Sequence, residues 1–345
     1  MRKGILLVNL GTPDSPAVAD VRKYLAEFLM DERVIDIHPF LRFLLVRGII
    51  VPFRAPASAK LYQKIWDPKT GSPLMHNSRL QQQLLQIALG AEYVVELGMR
   101  YQTPSIGTAL NKLQAAGVDS ICVIPLFPQY ASATAGSVMA EVMRILHKWP
   151  VIPPLSLAGA FYNHPLFIAA AVVNICRYNL SGFDHILFSF HGLPVRQLQA
   201  CSPNGHNCRQ EGCNDPITPQ NRHCYAAQCH ETARLIAREI NLDPADYTVC
   251  FQSRLGRSEW IKPYTSEVIG NLAISGMKKV LVVCPAFVAD CLETVYEIAD
   301  EYQEQFIAAG GERLQLVESL NGSACFTEAL KQLIQKERLR TAMVV

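Results

Sequence analysis

His191 closes the apolar run His185 to Phe190 within the hexapeptide Ser189-Phe190-His191-Gly192-Leu193-Pro194. The glycine and proline that follow fix a turn, so the ring stands at the end of a strand and not inside one. A neutral imidazole there could take a proton, bind a metal ion, or simply be hydrogen-bonded within the turn. A second group follows the apolar run Lys279 to Cys284 and consists of Asp290, Glu293, Glu297, Asp300, Glu301 and Glu304. Steps of three and four place Glu293, Glu297, Glu301 and Glu304 on one face of a helix. Such carboxylates repel one another, so the stripe costs helix stability unless it is solvated or serves cations or protons. A solvated outer face accounts for the later members; Asp290, Glu293 and Glu297, nearest the strand end, fit it least.

Cysteines form the third concentration. Of eleven, five fall at Cys201, Cys208, Cys213, Cys224 and Cys229, and the other six are scattered singly through apolar stretches. An odd count with isolated thiols points to a reducing compartment and not to a disulfide scaffold. The segment 198–230 is rich in Asn, Gly and Pro and also carries His206, His223 and His230. So polar an insert cannot build its own core, and thiolate ligation of a metal would order it. Its spacings, C-x6-C, C-x4-C, C-x10-C and C-x4-C, lack the paired C-x2-C of a zinc ribbon. Zinc, another metal centre and free thiols all remain compatible with the pattern.

These groups must be held by a larger frame. The chain has 345 residues, 50% hydrophobic and 18% charged, enough to bury one very large core or two medium ones. A net charge of +2 creates no field for a polyanion, so nucleic acid is not an expected partner. Met1 to Leu10 reads as a first strand, because no small-residue cleavage site follows it. No window reaches the roughly 18 uninterrupted apolar residues of a membrane span. Phe40 to Pro56 comes nearest but carries Arg42, Arg47 and Arg54, which suits lying on a membrane and not crossing it. The expected location is the cytoplasm, with peripheral contact at the inner face of the membrane.

Short apolar runs that stop at Gly or Pro alternate with longer amphipathic stretches, the pattern of strands and helices around a parallel sheet. Six strands stand out: Ile5 to Leu10, Tyr93 to Leu97, Ile121 to Phe127, His185 to Phe190, Tyr247 to Phe251 and Lys279 to Cys284. They fall into two similar triplets, either a duplication or the common grammar of strand ends, and two Rossmann-like halves of an α/β protein are the economical reading. The prolines of Trp149 to Pro154 divide them, giving domains at 1–153 and 154–326, with a last helix over 327–345 returning to the first. Ligands of open parallel sheets bind beyond the carboxyl ends of the strands. That rule selects Arg100, Tyr101, Gln129, Tyr130, Ser189, His191, Gln252, Ser253 and the stretch Asp290 to Glu297. Neither G-x-G-x-x-G nor a Walker loop occurs, which argues against a nucleotide.

Six segments in order along nearly the whole chain resemble the ferrochelatases: LLVNLGTPDSP (Leu6 to Pro16), Gly71-Ser72-Pro73-Leu74, PQYASATAGS (Pro128 to Ser137), Ser189 to Pro194, Gln252-Ser253-Arg254-Leu255-Gly256 with Trp260, and VCPAFVADCLETVYEI (Val283 to Ile298). The resemblance implies two Rossmann-like lobes, each a four-stranded parallel sheet flanked by helices, with a porphyrin cleft between them. It implies a lyase that inserts Fe²⁺ into protoporphyrin IX, releasing two protons and forming protohaem, the last step of haem biosynthesis. His191 matches the histidine that accepts pyrrole protons or ligates iron, Glu293 the glutamate opposite it, and Asp290 and Glu297 the carboxylates of a proton or metal path, on a helix that is partly π-type in the family. Arg54, Arg100, Tyr101, Tyr130 and Ser189 fall to the porphyrin pocket, Arg54 at a propionate. Phe40 to Phe53 matches an apolar lip that touches the membrane in some members. Some members have a histidine where this chain has Cys291. Several also hold a 2Fe–2S cluster, here assigned to Cys201, Cys208, Cys213 and Cys224, with Cys229 left over.

The chemistry explains the residue types. A flat porphyrin carries two inward N–H groups, so metalation requires bending the ring, removing two protons and delivering partly desolvated Fe²⁺. Histidine is a suitable base and ligand for that ion, and carboxylates can carry iron in or protons out. The Leu-Gly-Thr-Pro-Asp form near the N-terminus resembles users of protoporphyrin more than users of coproporphyrin, whose four propionates would ask for a more basic pocket. A tetrapyrrole carrier is the rival from another class and would have no use for Glu293. A cobalt or nickel chelatase shares the histidine logic but lacks the Tyr130 and Gln252 segments.

Overall fold

The computed structural model describes residues 2–201, 216–254, 256 and 258–342. The chain forms two compact units, one made of 1–127, 131–159 and 322–345, the other of 128–130 and 160–321.

In the first unit β1 (Lys3–Gly11) is buried along almost its whole length, as expected of a parallel strand covered on both faces. After it come α1 (Val18–Met30), α2 (Pro39–Phe43), a π-helical segment (Leu44–Ile50), α3 (Val51–Ile65), α4 (Pro73–Leu89), β2 (Tyr93–Tyr101), α5 (Ile106–Ala115) and β3 (Ser120–Pro125). A short π-helical segment (Ser132–Gly136) then leads into α6 (Ser137–Leu146), and β4 (Leu155–Leu157) closes the sheet in the order β2-β1-β3-β4. β4 lies past the prolines of 150–154 and pairs with β3, so the chain stays in this unit until 159. Leu6, Val8, Val123, Leu110 and Val142 meet in the core where α5 and α6 cover one face of the sheet. Proline opens α2 and α4 at their first turns, where its missing N–H is no loss, and Ser105 caps α5 by accepting from the N–H of Thr108.

The second unit repeats the plan: α7 (Pro165–Ile175), β5 (His185–His191), α8 (Val195–Ala200), α9 (Tyr225–Glu239), β6 (Tyr247–Gln252), α10 (Thr265–Ile274), β7 (Lys279–Val283), a π-helical segment (Glu293–Tyr302), α11 (Gln303–Ala308) and β8 (Arg313–Leu316). Its sheet order, β6-β5-β7-β8, is that of the first sheet with every number raised by four. All pairings in both sheets are parallel. The last helix, α12 (Ala324–Ala342), belongs to the first unit and packs on α4. Among the described residues no helix is long and apolar enough to cross a membrane.

Candidate active site

The carboxyl ends of β5, β6 and β7 converge on His191. Its register partner is Gln252, the last residue of β6, and the N–H of Gly192 donates to the Gln252 carbonyl at 2.7 Å. The turn is pinned from outside as well, since Val195 N–H reaches Glu259 O at 2.9 Å and Ile261 N–H reaches Leu193 O at 3.0 Å. A Cβ on Gly192 would stand 3.0 Å from Gln252 O and 3.3 Å from the Trp260 ring, so close approach of the neighbouring backbone is what requires glycine here. The imidazole is half-buried beside Phe287, with ring centroids 6.4 Å apart. Its Nδ1 lies 2.6 Å from the carbonyl oxygen of Gly192. A carbonyl can only accept, so Nδ1 carries the proton and Nε2 of the neutral ring keeps its lone pair for a proton or a metal.

Two glutamates stand on the π-helical segment that follows β7. Glu293, its first residue, accepts at its backbone carbonyl from Gln252 Nε2 at 3.2 Å, which ties the start of the helix to the strand carrying Gln252. The buried Cys291 thiol is hydrogen-bonded to Glu293, and burial together with that carboxylate's charge pushes the thiol's pKa well up. Glu297 is bound by Ser253 N–H at 3.1 Å, Ser253 Oγ at 2.5 Å and Tyr302 Oη at 2.8 Å. Burial raises the pKa of Glu297; the hydrogen bonds from Ser253 and Tyr302 and the charge of His191 oppose that rise, and Glu293 adds to it. Electrostatically, Glu297 is thus linked both to His191 and to Glu293. Farther along, Asp300, Glu301 and Glu304 are exposed, and the α-helical face expected from steps of three and four is replaced by the π-helix that the family resemblance implied.

Asp290 stands apart from this group. Its Oδ1 accepts from Ser319 N–H at 3.1 Å and from Thr294 Oγ at 3.2 Å, and its Oδ2 from Asn321 Nδ2 at 2.7 Å. The carboxylate clasps the loop after β8 to the start of the acidic helix.

Two residues expected to line a pocket are core residues instead. Ser189 is fully buried, donating to Gln252 Oε1 at 2.7 Å and sharing a hydrogen bond with Thr265 at 2.9 Å. Its side chain is buried in the core, where it fixes Gln252. Tyr101 is likewise fully buried, its hydroxyl donating to Asp31 at 2.9 Å, and burial pushes its pKa up. Arg100 stacks 4.7 Å above the Tyr101 ring and binds Asp31 at 2.7 Å and Ser137 Oγ at 2.6 Å. Ser137 also donates to Asp31. Burial alone would raise Asp31, yet Ser137, the N–H of Arg33, Arg100 and Tyr101 together hold it below the usual carboxylate range. Beside this knot lies a recess of about 430 Å³ lined by Lys23, Glu27, Met30, Asp31, Arg47 and Arg100. Arg54 is exposed on α3; Tyr130 is half-buried, with its N–H on Gln228 Oε1 at 2.7 Å.

Of the insert cysteines, Cys201 caps the end of α8 and Cys224 the start of α9, both half-buried. Cys208 and Cys213 lie outside the described residues. Cys229 is fully buried and bonded to Tyr225, and burial holds its thiol well above the ordinary pKa. Among the described residues no three His, Cys, Asp or Glu side chains are grouped to hold a metal ion. Tyr225 and Asp31 were not singled out from the sequence, because each acts through a contact distant along the chain; Tyr302, only five residues from Glu297, does not stand at a strand end.

Two parallel sheets of one topology, the second bearing an imidazole with carboxylates at its strand ends, have the chelatase fold. SirB from Bacillus subtilis, solved with Fe³⁺, is 12% identical with a TM-score of 0.53, covering 98% of this chain and 96% of that one. The ferrochelatase family model matches residues 2–338, and the chain belongs to that family, lyases that insert ferrous iron into a porphyrin to make haem. Curated ferrochelatases of Coxiella burnetii (strain Dugway 5J108-111) and Legionella pneumophila (strain Lens) are 44% and 42% identical, over 96% and 98% of this chain and 93% and 100% of their own lengths.

Proposed function

We propose that the substrate is protoporphyrin IX, that His191 is the base receiving its pyrrole protons, and that Glu293 and Glu297 are its acidic partners. The observation that carries this is the bond from His191 Nδ1 to Gly192 O, which leaves the Nε2 lone pair free on a ring linked electrostatically to Glu297, as Glu297 is to Glu293. Nε2 takes a proton from a pyrrole nitrogen, and the imidazolium is stabilised by the carboxylates until the proton leaves. Glu297, anchored by Ser253 and Tyr302, is the next acceptor outward, and the second pyrrole proton follows the same way as Fe²⁺ enters. Two N–H bonds break, four Fe–N bonds form, and two protons are released. Since Asp290 is committed to three donors, the proton path runs through Glu293 and Glu297. Arg100, beside the recess, and the exposed Arg54 are suited to porphyrin carboxylates.

The 2Fe–2S cluster is assigned to Cys201, Cys208, Cys213 and Cys224. Cys201 and Cys224 bound the insert at two helix ends with partly accessible thiols, which supports them as two of the four ligands, whereas the sealed, protonated Cys229 is a poor one. Bound there, the cluster would order a segment too polar to order itself. Phe40, Leu41, Phe43, Leu44, Ile49 and Phe53 are exposed together on α2, the π-helical segment and α3, which supports peripheral attachment of a cytoplasmic protein to the inner membrane face.

The test is anaerobic turnover. Native protein given Fe²⁺ with either protoporphyrin IX or coproporphyrin is expected to metalate the former faster, and His191→Ala to lose turnover while still binding porphyrin. Tight porphyrin binding without turnover by the native protein would establish a carrier instead; a coproporphyrin preference would overturn the substrate assignment.

A further inference from the structure

Tyr225 is the first residue of α9, directly after the cysteine insert, and is buried. Its hydroxyl donates to the backbone carbonyl of His191 at 2.9 Å. β5 needs that partner. Its pairing with β7 ends at Phe188↔Val283, so from Ser189 to His191 the strand is held by β6 alone, on one side. A tyrosine hydroxyl has one proton, and the carbonyl takes it. Tyr225 Oη–H thus grips the histidine backbone from behind while Gly192 O grips its ring.

We propose that Tyr225 is a positioning residue for His191 in porphyrin metalation. The proposal rests on the reading of His191 as the base, and it adds that the aim of Nε2 depends on a residue that touches neither porphyrin nor iron. Loosening the His191 backbone leaves the fold and porphyrin binding in place but misdirects the lone pair, and misplacement by a fraction of an ångström is felt chiefly in the chemical step. The first turn of α9 thereby joins the insert to the active site, with Cys224 and Tyr225 adjacent in the chain.

Tyr225→Phe keeps the ring and removes only the proton donor. With native protein as reference, kcat is expected to fall on the order of tenfold, with KM for protoporphyrin within about twofold and the thermal midpoint within a few degrees. Introduced into His191→Ala, the same change is expected to cost nothing further. In ¹⁵N-histidine spectra, the His191 ring resonances, assigned by their loss in His191→Ala, should move in Tyr225→Phe. An unmoved ring, a kcat within twofold of native, or an equal fractional loss in both backgrounds would overturn the proposal. Full turnover by His191→Ala alone would instead sink the reading of the base, while the spectra would still report whether Tyr225 holds the ring.

Discussion

Leu10-Gly11-Thr12-Pro13 leaves the central strand of the first sheet, and His191-Gly192-Leu193-Pro194 leaves that of the second. The two turns are built alike. A Cβ on Gly11 would stand 2.0 Å from Tyr101 O, and one on Gly192 3.2 Å from Ser253 O, so in each sheet the neighbouring strand end crowds the glycine. Just past that neighbouring strand each unit holds a non-glycine residue in the left-handed region, Gln102 at φ 67° and Ser253 at φ 59°. In each, a glutamate takes the N–H of that residue, Glu27 at 3.0 Å and Glu297 at 3.1 Å. A π-helical segment follows the third strand in both, Ser132–Gly136 in one and Glu293–Tyr302 in the other. The frame is thus made twice, and the chemistry once. Where the second unit has His191 the first has Leu10, and where the second places glutamates the first has Ser-Ala-Thr-Ala-Gly. On the proposed reading, proton transfer belongs to one copy through side-chain choice at positions both copies possess.

The sharpest way to break that comparison is to change the two equivalent residues. His191→Ala should lower kcat about 10²–10⁴-fold, the usual worth of a positioned base, measured by haem formation under anaerobic conditions. Leu10→Ala should leave kcat unchanged and cost about 1–2 kcal/mol of stability at a half-buried site. Adding Leu10→His to His191→Ala should recover nothing, since no carboxylate-bearing π-helix follows β3. Recovery would mean that the frame alone carries the chemistry.

Next in size is the polar knot of the first unit. The Asp31 carboxylate is nearly covered and serves Arg100, Tyr101 and Ser137 at once, so Asp31→Ala leaves a half-buried guanidinium and two hydroxyls without that acceptor. A loss of about 3–5 kcal/mol in urea unfolding is expected. In the second unit the corresponding buried network is uncharged and smaller. Ser189→Ala, which frees Gln252 from below, should cost about 1–2 kcal/mol and reduce kcat a few-fold, because Gln252 also ties down the start of the acidic helix.

Much of the frame was legible in the sequence because central parallel strands are continuous apolar runs. All six strands read from such runs are present; β4 and β8 were missed, being short edge strands such as Arg-Leu-Gln-Leu with little to distinguish them from loop. His191, Glu293 and Glu297 were marked by their places after strands. What could not be read was direction and partnership. Ser189 and Tyr101 sit beside strand ends yet are buried in the core, because strands of a parallel sheet are covered on both faces and a place near the strand end does not by itself give a side chain access to ligand. Asp290 looked like part of the acidic stripe, but Ser319 and Asn321, about thirty residues on, claim it. Tyr225 lies 34 residues from the histidine whose carbonyl it holds. Contacts of that range have no periodicity to betray them.

The smallest expected effect concerns the two glutamates that hold the left-handed residues. Glu27 is exposed, whereas Glu297 is half-buried with its pKa raised by burial. For a carboxyl whose folded pKa exceeds its unfolded one, the stabilising contribution is full below the unfolded pKa and is lost as pH rises through the folded pKa. Native protein should therefore lose stability relative to Glu297→Gln as pH rises across the upper carboxylate range, with the difference levelling off above it. Denaturant midpoints of both proteins at a series of pH values check this. A difference that does not change with pH would mean that the bonds from Ser253 and Tyr302 and the charge of His191 fully offset burial. The second unit would then hold its glutamate with no more tension than the first, and the comparison would rest on His191 alone.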